Sequence, residues 1–257
     1  MMKFGIYYYP KKEEAKKFAK KTEKWLKKKN FNTKVNKLDR NIKIGIVFGG
    51  DGTILYVSNR IAKRKLDIPI IRVNFGEVGY LTNVSPENIH SYLSKIIHKK
   101  AYRIIKRSRV KATLYRNNKK IFSSSGLNEI VIERTSTKPI KVGIKSEIEK
   151  INEIKLGCDG IIFSTKTGST AYNASAGGKI PKDENSLAIT IVCKTNRNIF
   201  LPPIVSFDNE TMIRTTILPE NLPRNGRLVV DGRAVKLKQN DEIVISKSKT
   251  KTLFIEF

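Results

Sequence analysis

The sequence is short of cysteine, histidine and tryptophan, with two, two and one among 257 residues. Cys158 and Cys193 stand far apart and frame neither a disulfide scaffold nor a thiolate metal site. His90 and His98 have no histidine partner at a metal-motif spacing, which argues against zinc hydrolysis and histidine-triad catalysis. No apolar run approaches the roughly 18 residues of a membrane-spanning helix. The opening residues, MMKFGIYYYP, lack a signal peptide's long apolar core and small-residue cleavage site. A reducing, cytoplasmic setting with no membrane partner is therefore the expectation. Acidic residues are also scarce: 23 Asp and Glu face 51 Lys and Arg, a net charge of +28.

What is present reads as globular. Hydrophobic residues make up 39% of the chain, an ordinary share once glycine is added, and the length suits one large domain or two modest ones. The charge points to polyanionic partners: nucleic acid, a membrane surface or phosphate-rich small molecules. Lysines concentrate in residues 11–37, where Ala15, Phe18, Ala19, Thr22, Trp25 and Leu26 recur at helical spacing. A surface helix with a solvated lysine face is the simpler reading. A nucleic-acid patch is the sharper one, but no zinc finger, helix-turn-helix or aromatic RNA-binding motif supports it.

The first hundred residues alternate strand and helix. Residues 4–9, 42–48 and 68–73 read as buried strands, the lysine-rich segment and 53–64 as helices. Residues 86–98 read as a third helix, with Ser85 as N-cap and Ile89, Leu93, Ile96 and Ile97 on one face. This order predicts an α/β N-terminal domain with a parallel sheet, over 1–100. Beyond Tyr102, short β-branched runs dominate: 110–115, 127–133, 140–145, 160–164, 187–193, 212–217 and 227–230. Turn pairs such as Asn117-Asn118 and Asn225-Gly226 punctuate them. A mostly β C-terminal domain over 101–240 follows, leaving 241–257 as a C-terminal segment that can pair within the second domain or return to the first.

Two segments carry chemistry. FGGDGT, residues 48–53, lies between a buried strand and a helix. Its glycines let the backbone turn sharply and approach a ligand, and the helix start offers free N–H groups to phosphate. Asp51 is suited to orienting or deprotonating a hydroxyl. Asn74 and Gly76 belong to a second glycine-bearing loop, NFGEVGYLT, at the end of the next strand. Neither loop is a Walker A or a dinucleotide fingerprint. The second segment, DGIIFSTKTGSTAYNASAGG (159–178), runs from an apolar strand into a dense set of small hydroxyl residues. Those suit polyhydroxyl or phosphate ligands, and Tyr172 adds a stacking face. Asn128 and Glu129 are neighbours in a strand and so point to opposite faces; by themselves they read as an exposed polar pair.

GGDGT, NFGEVGYLT, LNE at 127–129, the 159–178 block and Asp231-Gly232, in that order, resemble the NAD kinase family (ATP- or polyphosphate-dependent). The resemblance implies transfer of a terminal phosphoryl group to the adenosine ribose 2′-hydroxyl of NAD, giving NADP, in a site between the two domains. On it, Asp51 is the proton acceptor or orienting group. Gly49, Gly50, Gly52, Thr53, Asn74 and Gly76 hold the donor phosphates. NAD lies against Asp51, Gly52, Asn128, Glu129, Asp159, Thr167, Thr170, Ala171, Tyr172, Asn173 and Ser175. It also implies Mg²⁺ or another divalent cation, carried mainly by the nucleotide, with no dedicated protein metal site. Homodimers or homotetramers are implied, with part of each site supplied by a neighbouring subunit. The chain departs from the family at Tyr56, where a basic residue is common, and at Gly157, Lys166, Lys179, Lys194 and Arg233. The alternatives are another GGDG kinase, acting on a lipid or sugar, and a basic nucleic-acid-binding protein on a kinase-like fold.

Overall fold

The computed structural model describes residues 2–77, 79–99, 101–147, 151–196, 198–219 and 226–257. Two compact units emerge, one from residues 1–107 with 252–257 and the other from residues 108–251.

In the first unit the chain runs β1 (Lys3–Tyr8), α1 (Glu13–Lys28), β2 (Asn32–Val35), β3 (Ile44–Gly49), α2 (Asp51–Lys63) and β4 (Ile70–Asn74). A 3₁₀ turn (Pro86–Asn88), α3 (Ile89–Ser94), a π turn (Lys95–Lys99) and β5 (Arg103–Arg107) follow. β2, β1, β3 and β4 pair in parallel, in that spatial order. Every residue of β3 is buried, as a strand covered on both faces requires. In α1 the buried Ala15, Ala19, Thr22 and Leu26 form one stripe. Glu13 and Glu14 open the helix and Lys27 and Lys28 close it, each charge placed to suit the helix dipole. Trp25 lies half-buried, stacked on His90 with ring centroids 4.9 Å apart.

The segment 86–98 differs from its sequence reading. It is three short helical pieces, and Ser85 makes no side-chain cap bond. The Ser85 hydroxyl accepts instead from the Asn88 side-chain amide at 2.9 Å. Ile89, Leu93 and Ile96 are buried all the same.

The second unit contains β6 (Val110–Arg116), β7 (Lys119–Gly126), β8 (Glu129–Arg134), β9 (Ile140–Ser146), β10 (Ile151–Cys158) and β11 (Gly160–Ser164). After a Ser/Thr-rich turn and a short helix, Tyr172–Ser175, come β12 (Ser186–Val192), β13 (Ile204–Ser206), β14 (Met212–Ile217), β15 (Gly226–Val230), β16 (Arg233–Leu237) and β17 (Glu242–Lys247). Two six-stranded antiparallel sheets result, ordered β10-β9-β14-β17-β6-β7 and β13-β12-β11-β8-β15-β16. Both contribute to one apolar cluster. Val110, Val142 and Ile245 enter it from the first sheet, Phe163 and Leu228 from the second.

Of the boundaries that move relative to the sequence reading, three bear on the units and the site. β17 sits between β14 and β6, so the β-rich unit extends to Lys251 rather than stopping at 240. Only β18 (Thr252–Glu256) returns to the first unit, parallel to β4 and antiparallel to β5. β8 begins at Glu129 rather than Leu127, because the backbone of Leu127 and Asn128 is taken by Asp231 and Thr165. Of the Asn225-Gly226 turn, Asn225 lies outside the described residues and Gly226 already belongs to β15. Val78 of the second glycine-bearing loop is also outside them.

Candidate functional site

In the first unit both glycine-bearing loops lie at the carboxyl ends of parallel strands, the edge where open α/β sheets bind ligands. Gly49 ends β3, Asn74 ends β4, and the two residues are paired in register. The Phe75 N–H donates to the Gly49 carbonyl at 3.3 Å, and the Gly76 N–H to the Asn74 side-chain oxygen at 2.9 Å. Gly50 and Gly76 pass backbone against backbone. A Cβ on Gly76 would stand 2.9 Å from the Gly50 Cα, so the close approach of the loops demands glycine. Gly52 faces open space, with nothing within 4 Å of the position a Cβ would take.

Asp51 is the first residue of α2, with Gly50 as the N-cap. One carboxylate oxygen accepts the Leu81 N–H at 3.1 Å, which orients the group and leaves the other oxygen available. Thr53 completes the first helical turn, its N–H donating to the Gly50 carbonyl at 2.9 Å.

In the second unit the Ser/Thr turn is clamped onto the segment 127–129. The Thr165 N–H donates to the Asn128 carbonyl at 2.9 Å and its hydroxyl to the Leu127 carbonyl at 2.6 Å. Gly168 is pressed so close that a Cβ would lie 2.2 Å from the Asn128 carbonyl oxygen. Asp231, in the left-handed region at φ 43°, reaches over from the opposite side. Its carboxylate accepts the N–H groups of Leu127 at 2.7 Å, Asn128 at 3.0 Å and Glu129 at 3.3 Å. The buried Arg109 sits near that charge, its own pKa pushed down to about 10 by burial.

This clamp presents three buried polar atoms with no partner among the described residues: Asn128 Oδ1, Glu129 Oε2 and Thr167 Oγ1. Leaving such atoms unpaired is costly, so a cluster of them marks a place where a polar ligand makes the missing bonds. Burial, helped by the Asp231 charge, pushes the Glu129 carboxyl up to about 7.

Other sequence-derived residues divide. Thr170, Tyr172 and Ser175 are exposed and Ala171 is half-buried, on the turn that follows Thr167. The Asn173 side chain is spent inside the fold. Its amide donates to the Ser169 and Lys179 carbonyls, and its oxygen accepts from the Thr190 hydroxyl at 2.7 Å. These bonds hold the turn together. Asp159 is ion-paired with Arg134 at 2.6 Å and precedes β11, whereas Thr167 follows it. Five strand residues span roughly 16 Å, so within one chain Asp159 is not brought to Asn128, Glu129 and Thr167. The Lys166 ammonium donates to the Lys182 carbonyl at 2.5 Å.

Sequence reasoning missed the organising role of Asp231, whose contacts lie about a hundred residues away in the chain. It also missed the tyrosines beside the glycine loop. A run of three, Tyr7-Tyr8-Tyr9, at a strand end was the available signal.

Paired glycine loops at the carboxyl edge of a parallel sheet, with a carboxylate opening the following helix, define an α/β protein with a ligand-binding edge suited to phosphate groups. Comparison with known proteins narrows this. Residues 6–102 match the ATP-NAD kinase N-terminal domain and residues 127–257 the ATP-NAD kinase C-terminal domain. The chain belongs to the ATP-NAD kinase family. The bifunctional NADP phosphatase/NAD kinase of Methanocaldococcus jannaschii is 31% identical over 270 residues, covering 99% of this chain. The chain spans 45% of the length of that relative. The NAD kinase of Methanothermobacter thermautotrophicus is 35% identical over 214 residues, 82% of this chain and 70% of its own. The crystal structure of an Archaeoglobus fulgidus NAD kinase in complex with ATP aligns with a TM-score of 0.77 at 27% identity, covering 99% of this chain and 94% of that one. Yeast NADH kinase, solved with NADH, shares the fold: its TM-score is 0.85 at 19% identity, over 100% of this chain and 84% of its own. Among the described residues no helix is long and apolar enough to cross a membrane.

Proposed function

We propose that this chain, as an NAD kinase, transfers the terminal phosphoryl group of ATP to the 2′-hydroxyl of the adenosine ribose of NAD, yielding NADP and ADP. The ribose oxygen attacks the terminal phosphorus and forms the new P–O bond. The bond to the leaving diphosphate breaks, and the hydroxyl proton passes to the Asp51 carboxylate. Gly49, Gly50, Gly52 and Thr53, with Asn74 and Gly76 from the second loop, accommodate the donor phosphates. Asn128, Glu129 and Thr167 hold NAD, with Thr170, Ala171, Tyr172 and Ser175 along the adjoining turn. The observation that carries this reading is the cluster of three orphaned polar atoms on Asn128, Glu129 and Thr167, which suits the hydroxyl- and amide-rich surface of a dinucleotide.

Phosphoryl transfer rests mostly on positioning and charge stabilisation. Asp51 enters with its orientation set by Leu81, which lowers the entropic cost of reaching the reactive geometry. Among the described residues no three of His, Cys, Asp and Glu stand together as a metal site. A divalent cation such as Mg²⁺ would be carried mainly on the phosphates of the nucleotide. The cation would neutralise phosphate charge during transfer. A net charge of +28 also attracts two anionic substrates over distance. We further propose a homo-oligomer in the cytoplasm, in which Asp159 serves the NAD site of a neighbouring copy.

The test is NADP formation from NAD with ATP and Mg²⁺, read by an NADP-specific dehydrogenase. NADH as acceptor and polyphosphate as donor run in parallel. Product that vanishes in Asp51→Asn supports the reading; no product from folded protein in any lane refutes it.

A further inference from the structure

A cavity of about 740 Å³ opens on the first unit beside the glycine loop. That volume is typical for a nucleotide-sized ligand. Gly50, Gly52 and Thr53 form one side of it, and Tyr9 and Tyr56 form part of the rest. Tyr9 is 50% exposed and Tyr56 52% exposed, unusual for large rings that face a concave surface. The Arg60 guanidinium stands 5.4 Å from the centre of the Tyr56 ring. The Lys12 ammonium is anchored on the Phe75 carbonyl at 2.9 Å. Open aromatic faces next to fixed cations form a stacking platform for a heterocyclic base.

The cavity is continuous with the loop assigned to the donor phosphates, since Gly50, Gly52 and Thr53 belong to both. The groups assigned to NAD, on Asn128, Glu129 and Thr167, lie in the other unit. We propose that the Tyr9–Tyr56 groove holds the base of a purine nucleoside triphosphate, the phosphoryl donor, stacked against Tyr56 while its phosphates run to residues 50–53. The proposal rests on the kinase reading above and adds a preference: a donor with a base gains from the groove, and a bare polyphosphate does not. Lys12, held on the Phe75 carbonyl beside the glycine loops, lies where it offsets phosphate charge, while Arg60 lies one turn beyond Tyr56 and flanks its ring.

The test separates base from phosphate. A fluorescent ADP analogue is displaced by ATP and, separately, by inorganic tripolyphosphate from wild type, Tyr9→Ala, Tyr56→Ala and Tyr56→Phe. Both side chains are half exposed, and circular dichroism confirms that the variants fold. Each alanine variant should weaken ATP about tenfold, or about 1.4 kcal/mol, the lower part of the range for base stacking. Tripolyphosphate should change less than twofold, Tyr56→Phe should bind ATP as wild type does, and KM for NAD should stay put. Equal weakening of ATP and tripolyphosphate, no weakening of either, or a KM for NAD that rises instead would overturn the proposal. Tyrosine-dependent ATP binding without NADP formation would sustain the groove and remove the kinase reading. NADP formation with ATP binding indifferent to both tyrosines would do the reverse.

Discussion

Glu129 gives the most quantitative expectation. Its carboxyl has an ordinary value of 4.5 and is pushed up to about 7, first by burial and then by the Asp231 charge. The folded state therefore binds a proton that the unfolded chain gives up across that interval. The associated stability is full below pH 4.5, is lost progressively as pH rises toward 7, and is gone above it. At about 1.4 kcal/mol per pH unit, the interval amounts to about 3 kcal/mol. Glu129→Gln removes the titration, keeps the shape and places an uncharged amide where a charge is poorly solvated. The variant should gain on wild type as pH rises from about 5 to about 7, by about 3 kcal/mol at the plateau, while losing NAD affinity. Urea unfolding of both proteins at intervals between about pH 5 and about pH 8, followed by circular dichroism, reads the difference directly. A difference that stays flat with pH, or that first grows above about pH 8, would refute the reasoning. The same site predicts that NAD binds more tightly as pH rises through about 7, because a ribose hydroxyl donating to Glu129 favours the ionised carboxylate.

Other expectations follow from single contacts. Asp51→Asn keeps an acceptor for the Leu81 N–H and should fold normally, yet lose about 10²- to 10⁴-fold in kcat, the usual worth of a general base; near-normal turnover would remove Asp51 from the chemistry. Gly52→Ala meets no protein atom and should leave the melting temperature unchanged or slightly higher, while raising KM for ATP severalfold as the methyl group enters the phosphate space. Asp231→Asn weakens three charge-assisted bonds and should cost roughly 3 kcal/mol; by removing a negative charge it should also bring the Glu129 pKa down, which NMR titration would show. Gly168→Ala drives a methyl group into the Asn128 carbonyl and should destabilise by about 1–3 kcal/mol; a neutral effect in thermal unfolding would contradict the clamp.

Much of the candidate site was legible because it is local. FGGDGT announces a strand, a turn and a helix start within six residues, and the fold places Asp51 at that turn. The β-branched runs gave most strands of the second unit. The edge strands were harder: β7 alternates lysines and serines, and β10 carries Asn, Glu and Lys at exposed positions. Their pairing partners, not their composition, make them strands.

The order of motifs and the chemistry of the glycine loop were determined by sequence alone, since backbone turns and helix starts depend on neighbouring residues. Tertiary structure decided which distant groups meet. Asp231 reaches residues 127–129 across a hundred positions, the Thr165–Gly168 turn closes on the same segment, and together they turn Asn128 and Glu129 from an exposed polar pair into one with buried, unpaired side-chain atoms. Asn173 and Asp159 show the converse. Both are polar residues in a ligand-like motif, but three internal hydrogen bonds occupy Asn173. The length of β11 carries Asp159 away from Thr167. Burial and pairing are long-range properties, and no local pattern encodes them.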